Sequence, residues 1–249
     1  TDSKRVLYCF PYAGSGVSVY ESWAGLLDDD MELVGIQTPG REDLDGLPPF
    51  NAMEDILDNL LEQFEPPIGP YYIFGHSLGA LMAYEFTLAL QKKGKTLPQG
   101  LIISGSNAPE ASRDHNLHQL DDEAFAAAVM KEYREEDSNE LKQALSRNIP
   151  LLRADIQLLE TYEPTPGGLL NLPLTVIAGK NDHLLEAAKV KGWIGQADTG
   201  FTLEWLPAGH DLVTAQKEKL VEIIRKVMSA KEPAENEKKE KDVKTQTMV

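Results

Sequence analysis

The sequence predicts an α/β fold, a mostly parallel twisted sheet flanked by helices and carrying a helical lid insertion. Three observations point there. Short apolar runs rich in β-branched and aromatic residues alternate with longer amphipathic segments, the pattern of repeated βαβ units. Several of the short runs are apolar on consecutive positions, as strands buried on both faces must be. One stretch of roughly 55 residues, Pro109–Pro164, breaks the alternation with helical patterns and no convincing strand.

Taken in order, the expected strands are Val6–Phe10, Leu33–Gln37, Tyr71–Phe74, Leu101–Ser104, Leu174–Ala178 and Thr202–Leu206. Asn51 has the form of an N-cap, with Glu54 three residues on as its capping-box partner. Ile56, Leu57, Leu60, Leu61 and Phe64 then make one apolar stripe. A helix with its body at Ala80–Leu90 ends near Gly94. The insertion, about 110–164, shows helical patterns at Asp122–Tyr133, Asn139–Arg147 and Leu151–Tyr162. The last helix is expected over Leu212–Met228, burying Leu220, Val221, Ile223, Ile224 and Val227. From Lys231 to Val249 the chain alternates Lys and Glu without an aromatic residue or a sustained apolar face, and reads as a disordered tail. The expected organisation is therefore one domain over 1–230 and a tail over 231–249.

With 249 residues, 42% hydrophobic, there is chain enough for one large domain with a substantial core. A formal net charge of −16 repels a phosphate backbone, so nucleic acid is not an expected partner. The single Cys9 forms no internal disulfide and calls for no oxidising compartment. No apolar run has the length of a membrane span and no signal peptide is visible. The expectation is a cytoplasmic monomer. The chain opens on Thr1, which suggests a trimmed start.

Gly75-His76-Ser77-Leu78-Gly79 follows the third strand and opens a helix. G-x-S-x-G gains meaning from that context, because a nucleophile elbow is a strand-to-helix turn so tight that side chains at its two glycines would collide with its neighbours. Ser77 is expected in a strained backbone conformation at the carboxyl edge of the sheet, where open α/β sheets bind ligands. A serine hydroxyl needs a base. His210, in Ala208-Gly209-His210-Asp211 between the last strand and the last helix, is the candidate. His76 reads as packing, and His115 and His118 as surface residues. The base needs an acid to fix its tautomer, and Asp182 in Gly179-Lys180-Asn181-Asp182-His183 follows the fifth strand. The alternative acid position, after the fourth strand, holds Ser106 and Asn107. The order Ser77, Asp182, His210 is that of the α/β-hydrolases.

Acyl chemistry also needs donors for an oxyanion. The N–H of Leu78 is one candidate. The N–H of Ala13 is the other, in the loop Phe10-Pro11-Tyr12-Ala13-Gly14-Ser15-Gly16. That loop fails as a dinucleotide site, because Val19 stands at its third glycine position and no acidic residue ends the next strand. No His/Cys/Asp/Glu cluster has metal-ligand spacing, and neither cofactor nor metal is expected.

Six segments carry a family resemblance: Phe10–Gly16, Gln37–Glu42 (QTPGRE), Gly75–Ala80, Ile149–Asp155 (IPLLRAD), Gly179–Asp182 and Gly209–His210. Together they resemble the stand-alone, type II thioesterases that accompany polyketide synthases and nonribosomal peptide synthetases. The resemblance implies a Ser77–His210–Asp182 triad and a helical lid, with Met130, Tyr133, Leu145, Ile149 and Leu152 as candidate lining. It implies hydrolysis of acyl thioesters on the phosphopantetheine arm of acyl or peptidyl carrier proteins. Arg41 and Arg153 are either structural ion pairs or contacts to that arm's phosphate. Carrier proteins are usually acidic, so docking on so acidic a chain calls for a local basic patch or apolar contact. The alternatives are an excised, product-releasing terminal domain, a general carboxylesterase or lipase, and a non-catalytic binding protein that kept the elbow.

Overall fold

All six apolar runs form strands in the computed structural model, which describes residues 4–111, 116–132, 145 and 148–230. They are β1 (Arg5–Phe10), β2 (Met31–Gly35), β3 (Tyr71–His76), β4 (Gly100–Ser104), β5 (Leu174–Gly179) and β6 (Phe201–Leu206). The strands lie in the order β2-β1-β3-β4-β5-β6, and every neighbouring pair is parallel. The chain steps outward from β1 to β2, then returns to the other side of β1 and runs on to β6. This reversal opens a crevice at the carboxyl ends of β1 and β3, the place where such sheets hold ligands.

The helices are α1 (Met53–Gln63), α2 (Leu78–Lys92), α3 (Asp122–Glu132), α4 (Ile149–Glu160), α5 (Ala187–Lys191) and α6 (Lys217–Ser229). Side chains alternate across each strand. Phe10, Ile73, Leu101, Ile103 and Val176 therefore pack with α1 and α2, whereas Leu7, Cys9, Phe74, Ile102 and Ile177 pack with Tyr20, Trp23 and α6. Tyr20 and Trp23 belong to a 3-10 segment, Val17–Leu26, that the sequence reading did not assign to a helix. A third cluster, Phe125, Val129, Leu152 and Ile156, joins α3 to α4. Among the described residues no strand lies between β4 and β5.

Several boundaries move. Asn51 does not cap α1: extended Ala52 holds that position, no side chain caps the helix, and Glu54 and Asp55 face the positive end of its dipole. The last helix starts at Lys217 rather than Leu212. Asp211 takes the amide of Thr214 into a turn, and Leu212 and Val213 are buried ahead of the helix. β2 begins at Met31 and ends at Gly35, its span set by pairing with β1 from Arg5 to Cys9. The expected helix at Asn139–Arg147 lies outside the described residues except at Leu145, as do Tyr133 and the tail over 231–249.

Asn148 is a true cap. Its side-chain oxygen accepts from the N–H of Leu151 at 3.0 Å, one residue before Ile149-Pro150 opens α4. Asn148→Ala is expected to cost about 1 kcal/mol of unfolding free energy. Asn51→Ala should stay within about 0.5 kcal/mol of the wild type. Urea unfolding of the two variants measures the contrast.

Candidate active site

β3 is buried on all six residues and hands its last two, Gly75 and His76, directly to the turn before α2. Ser77 sits there at φ 53° and ψ −115°, a left-handed backbone that L-residues rarely adopt. The turn is held by contact: a Cβ on Gly75 would lie 2.1 Å from the carbonyl oxygen of Gly79, and one on Gly79 would lie 2.4 Å from that of Phe10. The N–H of Ser77 donates to Ser104 O on β4 at 2.9 Å. The elbow expected from the motif is present, and it is wedged between the ends of β1 and β4.

The other two candidates arrive from neighbouring strands. Lys180 and Asn181 donate their amides to Leu206 O and Ala208 O at 2.8 and 2.9 Å, which lashes the turn after β5 to the loop after β6. Gly179 permits this approach, because a Cβ there would meet Ala208 O and Gly209 O at 2.5 Å. Asp182 and His210 are thereby brought together, with His210 Nδ1 donating to Asp182 Oδ2 at 2.7 Å. The other carboxylate oxygen of Asp182 accepts from Leu184 N–H at 3.0 Å. With its Nδ1 proton committed to Asp182, His210 presents Nε2 as an acceptor, and Ser77 Oγ lies 3.1 Å from it. Three side chains separated by up to 133 positions thus form one hydrogen-bonded line. Asn107, at the alternative acid position, supports that line: its amide donates to Leu184 O and accepts from Glu186 N–H, both at 3.1 Å.

His76 is buried packing, as expected, but what it packs against is His210. The two ring centroids are 5.0 Å apart, Tyr12 stands edge-on to His76 at 5.7 Å, and His76 Nδ1 bonds Ser104 Oγ at 2.8 Å. Burial pushes its imidazole well below the usual histidine range, the neighbouring His210 pushes it further, and a hydrogen bond to the His210 backbone opposes both. No motif signals this contact, because it depends on the loop after β6 folding back over β3.

His118 is half-buried rather than freely exposed: its ring bonds Glu160, which also accepts the amides of Leu117 and His118. His115 lies outside the described residues. Arg153 is an ion-paired residue, bonded to Asp122 at 2.7 Å and to the carbonyls of His118 and Leu120, with its guanidinium over Phe125. Arg41 is buried against Asp155. Leu152 belongs to the core under the insertion, while Leu145 and Ile149 pack partly buried against it. Ala13 lies between the main core and this cluster. Among the described residues no group of three or more His, Cys, Asp or Glu could hold a metal ion, and no helix is long and apolar enough to cross a membrane.

A parallel sheet that reverses at β1, a serine on a strained turn after β3, and an acid and a histidine after β5 and β6 define the α/β-hydrolase fold. Within it the chain belongs to the thioesterase domain family, which it matches over residues 5–228. It is 29% identical over 233 residues to the gramicidin S biosynthesis protein GrsT of Aneurinibacillus migulanus, covering 90% of this chain and 89% of that protein. Among solved structures it resembles RedJ, a thioesterase from the prodiginine biosynthetic pathway in Streptomyces coelicolor, with 31% identity, a TM-score of 0.80, and coverage of 90% and 86%. It also resembles YbtT, a type II thioesterase from the yersiniabactin NRPS/PKS pathway, with 27% identity, a TM-score of 0.75, and coverage of 91% and 93%.

The depressed proton affinity of His76 has a measurable sign. The unfolded chain binds this proton below pH about 6.5 while the folded chain refuses it, so stability falls as the pH drops through that point, by at most about 1.4 kcal/mol per pH unit. An imidazole nitrogen NMR titration is expected to find His76 neutral at pH 6; a midpoint near 6.5 would contradict the described burial.

Proposed function

We propose that this chain is a type II, editing thioesterase, a serine hydrolase that cleaves acyl groups from the phosphopantetheine arm of acyl or peptidyl carrier proteins. The single observation that carries the reading is the line from Ser77 Oγ through His210 to Asp182, at 3.1 and 2.7 Å, on the carboxyl edge where the sheet reverses. The matched family supports thioester hydrolysis. The pathways named for GrsT, RedJ and YbtT support an assembly line as the source of substrate.

The chemistry follows from the roles each group can fill. His210 Nε2 takes the proton of Ser77 as its oxygen attacks the thioester carbonyl, and Asp182 stabilises the imidazolium. The tetrahedral oxyanion needs two donors. Leu78 opens α2, so its N–H is one of the unpaired donors of a helix start and sits at the positive end of the dipole. The loop after β1 runs against this first turn, as the approach of Gly79 to Phe10 O and Pro11 O requires, and in this reading the N–H of Ala13, on the same loop, is the second donor. The intermediate collapses by breaking the carbon–sulfur bond, and the departing pantetheine sulfur takes the proton from His210. Water deprotonated by His210 then attacks the Ser77 ester, the proton returns to Ser77, and the free acid leaves. A thiol leaves readily, so the proposed step needs no metal or cofactor.

In this reading the insertion over 110–164 is a lid that covers the crevice and excludes water during acyl transfer. Turnover of acyl-loaded carrier protein tests the assignment. Ser77→Ala is expected to lower kcat by about 10⁴-fold or more, and equal rates from wild type and variant would remove it. Wild type should also hydrolyse acyl-pantetheine thioesters faster than matched oxygen esters; the reverse order would favour a general carboxylesterase.

A further inference from the structure

Three of the six segments that carry the family resemblance, Phe10–Gly16, Gln37–Glu42 and Ile149–Asp155, meet at one buried point. Asp155, on α4, is fully buried. Its Oδ2 accepts the N–H of Gly14 at 2.7 Å, and its Oδ1 accepts from one terminal nitrogen of Arg41 at 2.8 Å. The other terminal nitrogen of Arg41 bridges Asp155 Oδ2, at 3.3 Å, and the carbonyl oxygen of Ser15, at 2.8 Å. Arg41 is itself held on a loop whose next residue, Glu42, accepts the amides of Val17 and Ser18 at 3.1 and 3.0 Å. The pair therefore grips the loop after β1 at two successive residues, one by its amide and one by its carbonyl.

That grip has a geometric consequence. The N–H of Gly14 and the carbonyl of Ala13 lie in one rigid peptide plane. Fixing the Gly14 amide against Asp155 fixes that plane, and the N–H of Ala13 is then separated from it by a single pair of backbone torsions. Stability alone is a weak reason for a buried ion pair, since an apolar pair of similar volume is often as stable or more so. An acceptor that must reach a loop amide from a separate helix is something an apolar pair cannot supply.

We propose that Asp155, held by Arg41, is a positioning residue that aims the Ala13 N–H at the oxyanion, so that seating of the insertion helix α4 and assembly of the oxyanion site are one event. The inference rests on the thioesterase reading above and deepens it: the insertion then does more than cover the crevice, because it carries the acceptor that organises one of the two oxyanion donors. Lifting α4 away from the loop releases Gly14, and the reacting serine loses a donor as its site opens to water.

Two double variants separate positioning from simple ion pairing, because both remove the charges and only one keeps an acceptor for Gly14. Arg41→Met/Asp155→Leu has no acceptor at this position. Arg41→Gln/Asp155→Asn retains an amide oxygen. With acyl-loaded carrier protein as substrate, the apolar pair is expected to lose about 10- to 100-fold in kcat with KM changed by less than about 3-fold, as for a weakened oxyanion donor. The amide pair should recover to within about 5-fold of the wild type. Equal kcat in the two variants would overturn the inference while leaving the thioesterase reading intact. No hydrolysis by the wild type above the Ser77→Ala background would overturn both. Hydrogen exchange of the wild-type protein decides independently of how the variants fold. The Gly14 amide is expected among the slowly exchanging protons, and fast exchange there would overturn the inference.

Discussion

The backbone of Ser77 is the constraint on which the rest of the site depends. A non-glycine residue at φ 53° and ψ −115° costs on the order of 1–3 kcal/mol and persists only where its surroundings leave no alternative. Here they leave none. β3 is wholly buried before the turn, α2 is buried along nearly its whole length after it, and two backbone approaches across Gly75 and Gly79 forbid relaxation. The strain lifts one hydroxyl off the sheet edge and starts α2 directly beneath it. The loops after β5 and β6 deliver the acid and the histidine to that hydroxyl, and the amides of Lys180 and Asn181 hold those two loops to each other.

The insertion is joined to the loops around the site at more than one place. On α4, Asp155 holds Gly14 and Arg41. At the end of α3, Glu132 O lies 2.9 Å from Nε2 of His183, the residue after Asp182. Arg153 and Glu160 then stitch α4 to the segment that precedes α3 through His118, Leu120 and Leu117. The insertion is thus tied both to the loop beside the serine and to the loop bearing the acid.

Much of this was legible in the sequence because it is local. Apolar runs of strand length located all six strands, and G-x-S-x-G at a strand-to-helix junction located the elbow. The positions of Asp182 and His210 followed from their place after the fifth and sixth strands. The failures are those of local reading against tertiary context. Asn51 looks like a cap, but the chain reaches α1 through extended Ala52 instead. Leu212 and Val213 read as helix, yet the Asp211 turn and burial beside Trp23 take them first. His118 looked exposed among polar residues because Glu160, which receives it, lies 42 positions away. The pairing of Arg41 with Asp155 spans 114 positions and has no periodic signature. Only the unusual wording of QTPGRE and IPLLRAD marked those segments as special, without saying what for.

The central claim, that Ser77 is a nucleophile activated by His210, is tested most directly by labelling the intact protein with an alkyl fluorophosphonate and mapping the adduct by peptide mass spectrometry. The account expects one adduct, on Ser77, forming quickly in the wild type and lost when His210 is replaced by glutamine. An adduct on another residue, or equal labelling of Ser77 with and without the imidazole, would contradict it.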